Sequence, residues 1–162
     1  MKSLFSLLVC FSFSSSVYSQ DIPSYTFESL DQKLADESSG QYLIVNFWAT
    51  WCKPCIKELP YFESITDELQ REDIYVLLVS LDMDKEKAET YAQNKALQSE
   101  VVYLDETDFN TWIDKVSKEW TGAIPATLFL APGNAKSFFE GSFEKEELIN
   151  EVKRFIENNP KS

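Results

Sequence analysis

The sequence of 162 residues contains no histidine, which excludes several kinds of chemistry at once. Neither a Ser-His-Asp triad nor a Cys-His pair can form. No zinc, copper or haem site that uses histidine can be built from this chain alone. Acid–base catalysis near neutral pH must therefore use glutamate, aspartate, lysine or cysteine with a shifted pKa. Only three cysteines are present, so a disulfide-rich scaffold is excluded as well.

Basic residues are also scarce. The 15 Lys and Arg residues face 27 Asp and Glu residues, which gives a formal net charge of −12. Such a surface repels phosphate backbones and anionic membranes, so we expect no nucleic-acid partner. The length fits one domain with a hydrophobic core of its own.

The N-terminus has the pattern of an export signal. Lys2 supplies a positive start, residues 4–13 form an apolar stretch, and a Ser-rich segment ends on Ser19. Because the apolar stretch is short for a membrane span, we predict a cleaved signal peptide over residues 1–19 and one domain over residues 20–162. A periplasmic or secreted protein is then expected, and an uncleaved N-terminal anchor is the alternative.

Strand and helix patterns alternate along the rest of the chain. Continuous apolar runs predict strands, and apolar residues at helical spacing predict helices. This alternation is typical of an α/β fold with a largely parallel sheet, closed here by an antiparallel hairpin. The predicted helices cover residues 27–37, 52–71 (interrupted by Pro60), 84–96, 108–119 and 143–157, and the predicted strands cover residues 42–48, 74–81, 101–104, 126–130 and 136–140.

The chemistry is concentrated in a C-x-x-C sequence at the start of a predicted helix. Cys10 lies within the predicted signal peptide, which leaves Cys52 and Cys55 in the exported chain. A cysteine at a helix N-terminus is favoured as a thiolate by the free N–H groups and the helix dipole. The thiolate is the attacking species in disulfide exchange, and Cys55 is placed to resolve the mixed disulfide. Lys53 adds a positive charge, and Pro54 suits a first helical turn.

Two other interpretations of the cysteine pair are weaker. A zinc site needs about four ligands, and this chain offers no second pair of cysteine or histidine ligands, so no metal is expected. A purely structural disulfide between Cys52 and Cys55 would close almost no loop and would stabilise little. The redox interpretation is therefore preferred.

These features resemble the thioredoxin superfamily. The string WATWCKPC around Cys52 is similar to the active-site sequence of the family, and Pro60 matches the proline of its active-site helix. The segment from Ile124 and Pro125 to Thr127 is similar to the cis-proline segment. The resemblance implies a thioredoxin fold, a central mixed sheet flanked by helices, with Pro125 against the dithiol and the backbone of Ile124 pairing with the substrate chain. A trans proline at a strand start is the alternative.

A finer resemblance is to the exported TlpA- and ResA-like thiol-disulfide reductases. It is carried by the export signal, by the similarity of residues 52–60 to C-x-P-C-x-x-E-x-P, and by an extra helix and strand at about residues 84–104, before the cis-proline segment. One departure is the helix predicted at residues 27–37, where that group usually begins with a β-hairpin. This departure argues against carrying over a narrower role in cytochrome maturation.

Glu58 and Trp51 each have two interpretations, whereas Asn46 has one. Spacing alone favours Glu58 as a solvated helix residue paired with Lys57 or another cation, whereas the resemblance implies a carboxylate that tunes the cysteines and relays protons. Asn46 stands where cytosolic thioredoxins have an aspartate, and it is interpreted as a satisfied polar residue within the sheet. Trp51 is expected to cover the dithiol and shape the partner surface, with plain packing as the alternative.

The sequence thus predicts a single-domain reductase of protein disulfides. The expected catalytic residues are Cys52, Cys55 and Glu58, and the expected substrate-binding residues are Trp51, Lys53, Pro54, Ile124 and Pro125. No cofactor is required because the dithiol carries the electrons. Expected partners are disulfide-containing exported proteins and an upstream membrane or periplasmic thiol reductase, which reduces the cysteine pair again. The protein is expected to be a monomer. A dithiol oxidase and a non-redox binding or chaperone module are the alternatives.

Overall fold

The structure is a computed structural model that describes residues 21–106 and 108–161. The signal peptide predicted at residues 1–19 lies outside the described residues. Within the described ranges, no helix combines the length and the apolar character that a membrane crossing requires.

Six strands form one mixed sheet in the order β1-β4-β3-β2-β5-β6. The strands β1, β4, β3 and β2 are mutually parallel, whereas β5 is antiparallel to β2 and β6 is antiparallel to β5. The predicted α/β architecture with a terminal antiparallel hairpin is therefore confirmed. The strands are β1 Ser24–Tyr25, β2 Tyr42–Trp48, β3 Ile74–Ser80, β4 Glu100–Leu104, β5 Ala126–Leu130 and β6 Lys136–Glu140.

Helices cover both faces of the sheet, and side chains satisfy the free N–H groups at several of their first turns. Thr26 caps α1, Asp84 caps α3, and Glu144 forms a reciprocal capping box with Glu147 at the start of α5. The helices are α1 Phe27–Ser38, α2 Lys53–Leu69, α3 Lys85–Lys95, α4 Ile113–Val116 and α5 Lys145–Asn158, with a 3-10 turn at Phe109–Thr111.

The sheet separates two hydrophobic clusters. Alternate residues of β2 point to opposite faces, so Ile44 and Trp48 pack on the side of α2, α3 and α5, and Phe47 packs on the side of α1 and α4. Both cysteines belong to the first cluster. The second cluster holds Trp112 and Trp120, so both indoles serve in packing.

Two predicted helices differ from the observed ones. The helix expected over residues 108–119 is a 3-10 turn followed by the single turn of α4, because Ser117 adopts an extended backbone and ends it. The interruption expected at Pro60 is absent, since α2 runs on to Leu69. Pro60 withholds one helical hydrogen bond, but Leu59 and Phe62 on either side are buried in the same cluster and hold the two halves in line.

Candidate active site

The first cysteine lies where β2 ends and α2 begins. Cys52 is the N-cap of α2, and the Cys55 N–H donates to its Sγ at 3.3 Å. The two cysteines form a disulfide with Cα atoms 5.3 Å apart. Cys52 is 5% exposed, whereas Cys55 is fully buried. In the reduced state, the N–H group and the helix dipole would both stabilise a thiolate on Cys52, the cysteine that a partner can reach.

The cis-proline segment lies against this cysteine. The Ile124–Pro125 peptide bond is cis, and the carbonyl oxygen of Ile124 is 3.7 Å from the Sγ of Cys52. Pro125 is buried immediately before β5, and its carbonyl accepts a hydrogen bond from Gly141 N–H at 2.9 Å. Half-buried Ile124 therefore presents its backbone next to the sulfur that would attack.

Glu58 is a buried carboxylate one helical turn beyond Cys55. The side chain is 1% exposed, and it accepts hydrogen bonds from Phe143 N–H at 2.7 Å and from Asn46 Nδ2 at 2.9 Å. Burial raises its pKa to about 7, against the opposing effect of these two donors. Lys57 pairs instead with Glu144, so the solvated interpretation of Glu58 is wrong.

Asn46 is the polar residue in the middle of β2. Its Nδ2 donates to Glu58 and, at 3.3 Å, to the hydroxyl of Thr127 on β5. The expectation of a satisfied polar residue holds for Nδ2 only, since Oδ1 is buried and has no hydrogen-bond partner among the described residues. Because an amide cannot ionise, Glu58 is the group that can accept a proton here.

Three of the predicted substrate-binding residues surround the dithiol at the surface. Lys53 and Pro54 are exposed in the first turn of α2, and Trp51 is 64% exposed beside Cys52. The indole of Trp51 is thus available to a docking partner. Trp48, by contrast, is fully buried and packs against Tyr91 with ring centroids 5.4 Å apart.

Asp82 is a site residue that the sequence did not indicate. It follows β3 and is 3% exposed, and its carboxylate accepts from the Thr50 N–H at 3.1 Å, the Thr50 hydroxyl at 2.6 Å and the Ser80 hydroxyl at 2.9 Å. Thr50 lies in the tight turn closed by the Cys52 N–H donating to the Ala49 carbonyl. Asp82 therefore fixes the turn that carries Trp51 and Cys52.

A similar contact holds the loop on the other side of Cys52. Glu140 on β6 accepts from the Thr121 N–H at 2.6 Å and from the Thr121 hydroxyl at 2.8 Å. Thr121 begins the loop that leads to Ile124. Two carboxylates, each bound to the N–H and the hydroxyl of one threonine, thus position the two loops that meet at Cys52.

Replacing Asp82 by alanine is expected to lower the free energy of unfolding by about 2–4 kcal/mol, because one buried and two partly buried donors would lose their acceptor. Urea unfolding measures this change. Asp31→Ala is the matched control, since Asp31 is exposed on α1, and it is expected to change stability by less than about 0.5 kcal/mol. Equal effects of the two variants would contradict the anchoring role.

No group of three or more potential metal ligands occurs among the residues that the structure describes. The arrangement is suited to electron transfer between sulfur atoms. It combines one reachable cysteine at a helix N-terminus, a second cysteine in disulfide-bonding position, and a buried carboxyl group that changes protonation near pH 7.

Comparison with protein families gives a match over most of the chain. The profile described as AhpC/TSA family matches residues 19–134. The chain is 28% identical over 122 residues to the thiol-disulfide oxidoreductase ResA of Geobacillus thermodenitrificans, a match that covers 75% of this chain and 66% of that protein. It is 27% identical over 110 residues to ResA of Geobacillus kaustophilus, covering 67% of this chain and 60% of that protein. The matches thus span less than two thirds of these relatives.

Solved structures share the fold. A thiol:disulfide interchange protein of the thioredoxin family from Chlorobium tepidum superposes with a TM-score of 0.62 at 21% identity, covering 75% of this chain and 84% of that one. StoA from Bacillus subtilis superposes with a TM-score of 0.55 at 24% identity, covering 70% of this chain and 84% of that one. At such identities the likeness establishes the architecture.

Proposed function

Because the chain belongs to the AhpC/TSA family and carries a C-x-x-C pair in a thioredoxin-like fold, we propose that it is a thiol-disulfide oxidoreductase that reduces disulfides in other proteins. The observation that carries the proposal is the position of Cys52: it caps α2, receives the Cys55 N–H and lies 3.7 Å from the carbonyl oxygen beside the cis proline. The thiol-disulfide oxidoreductase relatives support the same activity.

The first chemical step is attack by the Cys52 thiolate on a partner disulfide. A bond forms between the Sγ of Cys52 and one partner sulfur, the partner disulfide breaks, and the second partner sulfur leaves as a thiolate. The donated Cys55 N–H and the start of α2 favour the thiolate that attacks.

The second step releases the partner. Cys55 loses its proton and attacks the Sγ of Cys52, which forms the Cys52–Cys55 disulfide and frees the first partner sulfur as a thiolate. Two electrons have then moved from the dithiol to the partner. Glu58 accepts the proton of Cys55, since a carboxylate whose pKa is about 7 is an effective base near neutral pH.

The partner chain docks across the groove beside Pro125. The backbone of Ile124 pairs with the partner next to its disulfide, and Trp51, Lys53 and Pro54 contact the partner from the opposite wall. The exposure of these last three side chains supports the assignment.

The protein acts as a monomer without a bound cofactor, because the dithiol itself holds the two electrons. A thiol reductase of the membrane or periplasm restores the dithiol after each turnover by the reverse exchange. The substrates are disulfide-containing exported proteins, and the protein meets them in the periplasm or outside the cell after removal of residues 1–19.

The reduction potential of the cysteine pair tests the direction of transfer. The protein lacking residues 1–19 is equilibrated in thiol/disulfide buffers, and the thiols are trapped by alkylation and counted by mass. A potential of about −250 mV or lower is expected for a reductant. A value near about −120 mV would identify an oxidase instead, and a pair that cannot be reversibly titrated would reject the enzyme and leave a binding module.

A further inference from the structure

Exposed apolar side chains collect on one edge of the molecule. Among the residues that the structure describes, four large hydrophobic side chains are exposed. Three of them lie three to five residues beyond the ends of β2, β3 and β4: Trp51 at 64%, Met83 at 78% and Phe109 at 37%. These strands are adjacent and parallel, so their carboxyl ends share one edge of the sheet. We name the surface formed by these three residues the apolar edge.

Because β2, β3 and β4 are adjacent, the three side chains follow one another in a row along this edge, and contacts link the segments that carry them. Asp82 binds Thr50, which brings the loop of Met83 against the loop of Trp51. Met83 and Phe109 line the same narrow cleft. Because the sheet order is β4-β3-β2-β5, the row leads away from Cys52 on the side opposite to Pro125.

Carboxylates border the apolar edge. In the sequence, residues 49–52, 81–84 and 105–112, which come after β2, β3 and β4, contain no Lys or Arg. There are two aspartates in residues 81–84 and three carboxylates in residues 105–112. The pKa of the Tyr103 phenol is raised by burial first, and then by the charges of Asp105, Asp84 and Asp82. These three carboxylates therefore lie around the Tyr103 phenol.

The lysines beside this border lie next to its β2 and β3 part. Lys53 directly follows Cys52, Lys87 lines a cleft together with Thr50 and Asp84, and Lys85 is paired with Asp21 and Glu89. Asp105 is exposed and Glu106 half-buried, and neither side chain forms an ion pair with another residue that the structure describes. At the β4 end of the apolar edge, an arriving molecule therefore meets apolar surface beside the uncompensated negative charges of Asp105 and Glu106.

We propose that the apolar edge is a second docking surface that receives a segment of the partner protein with apolar side chains flanked by Lys or Arg. The inference rests on the proposed function and extends it from the groove at Pro125 to the other side of Cys52. A second copy of this chain would oppose like charges at the same border, which disfavours self-association there. A cationic apolar segment instead meets complementary charge and buries Met83, Trp51 and Phe109.

The test compares three synthetic peptides with one internal disulfide and identical central residues. Their flanks carry Leu and Lys, Leu and Glu, or Gly and Ser. For the reduced wild-type protein at low ionic strength, we expect kcat/KM to be roughly 10-fold higher for the Lys peptide than for the Glu peptide, and the ratio to fall towards about 2 at high salt.

Charge reversal locates the origin of this preference. The variant Asp105→Lys with Glu106→Lys is expected to abolish or invert the ratio. The matched control is Glu72→Lys with Glu157→Lys, which changes the net charge equally at exposed positions near the opposite end of the sheet. The control is expected to keep a preference for the Lys peptide. Equal behaviour of the two variants would assign the preference to net charge and overturn the docking surface.

The apolar contribution is measured with Met83→Gln, and with Phe109→Ser as a second variant. Met83 is too exposed to matter for folding, so its variant remains informative if Phe109→Ser does not fold. Each is expected to lower kcat/KM for the Lys peptide by about 3-fold or more. An unchanged value for Met83→Gln would contradict the proposal.

Failure of the inference is distinguishable from failure of the proposed function. If the wild-type protein reduces all three peptides equally, the proposed activity stands and the docking surface is rejected. If the protein reduces neither the peptides nor the small neutral disulfide of mercaptoethanol, both the proposed function and the docking surface are rejected.

Discussion

Replacing Cys52 by serine is expected to lower disulfide-reducing activity by a factor of about 10³ or more, because the remaining thiol, Cys55, is fully buried and a partner disulfide cannot reach it. Cys55→Ser is expected to stop the reaction after the first step. The partner then stays attached through a bond to Cys52, which is visible as a higher-mass species that disappears on addition of a reducing agent. Non-reducing gels and intact-mass measurement report both results.

The two variants control for each other, since both lose one buried sulfur atom and the same disulfide. Only Cys55→Ser should accumulate attached partner, and the double variant Cys52→Ser with Cys55→Ser should accumulate none. Full activity of Cys52→Ser would show that the nucleophile has been wrongly assigned. Retention of the same partners by the double variant would favour a non-redox binding protein.

The buried carboxyl group of Glu58 is expected to make stability fall as pH rises. Its pKa is about 7 in the folded protein and 4.5 as the ordinary value, so the folded state holds this proton more tightly than the unfolded state. Its contribution is fully present below about pH 4.5 and is lost as pH rises through 7. The difference of pKa corresponds to about 3 kcal/mol of unfolding free energy.

The measurement is urea unfolding between pH 4.5 and pH 8.5 for wild type, Glu58→Gln and Glu119→Gln. Glu58→Gln cannot ionise, so the wild type should lose about 3 kcal/mol relative to it over this range. Glu119 is exposed, and its variant should follow the wild type. Parallel curves for wild type and Glu58→Gln would show that burial does not hold the proton on this carboxyl group.

The strands were the most predictable part of the fold. Ala126–Leu130 is an uninterrupted run of apolar or β-branched residues, Tyr42–Trp48 is one apart from Asn46, and the structure gives both strands with the predicted bounds. A short continuous run of this kind is typical of a central strand that is buried on both faces, so the sequence predicted the secondary structure directly. The two-residue β1 was not predicted, because its pairing with β4 depends on backbone contacts across the sheet edge.

The helix expected at residues 108–119 shows where local pattern fails. Trp112, Val116 and Trp120 have helical spacing, and all three are buried in one cluster. The chain nevertheless brings Trp120 to this cluster through an extended Ser117, with the indole N–H donating to the Ala123 carbonyl. Tertiary contacts thus bury the same apolar residues without a continuous helix.

The site itself was predictable only as far as its motif extends. The helix-capping position of Cys52 and the proximity of Pro125 followed from the C-x-x-C sequence and its resemblance. Asp82 acts through Thr50, 32 positions earlier in the chain, and no local signal in one sequence connects them. The burial of Glu58 likewise depends on Asn46 and Phe143, which lie on other elements.

The division of the four tryptophans between the faces of the sheet gives the protein two separate optical reporters. Trp48 and Trp51 lie on or beside the cysteine-bearing side, whereas Trp112 and Trp120 are stacked edge to face in the other cluster, with ring centroids 5.3 Å apart. Opening the disulfide should alter the emission of the first pair and leave the near-ultraviolet circular dichroism of the second pair intact. Loss of packing would remove both signals, so one sample can distinguish a change of redox state from unfolding.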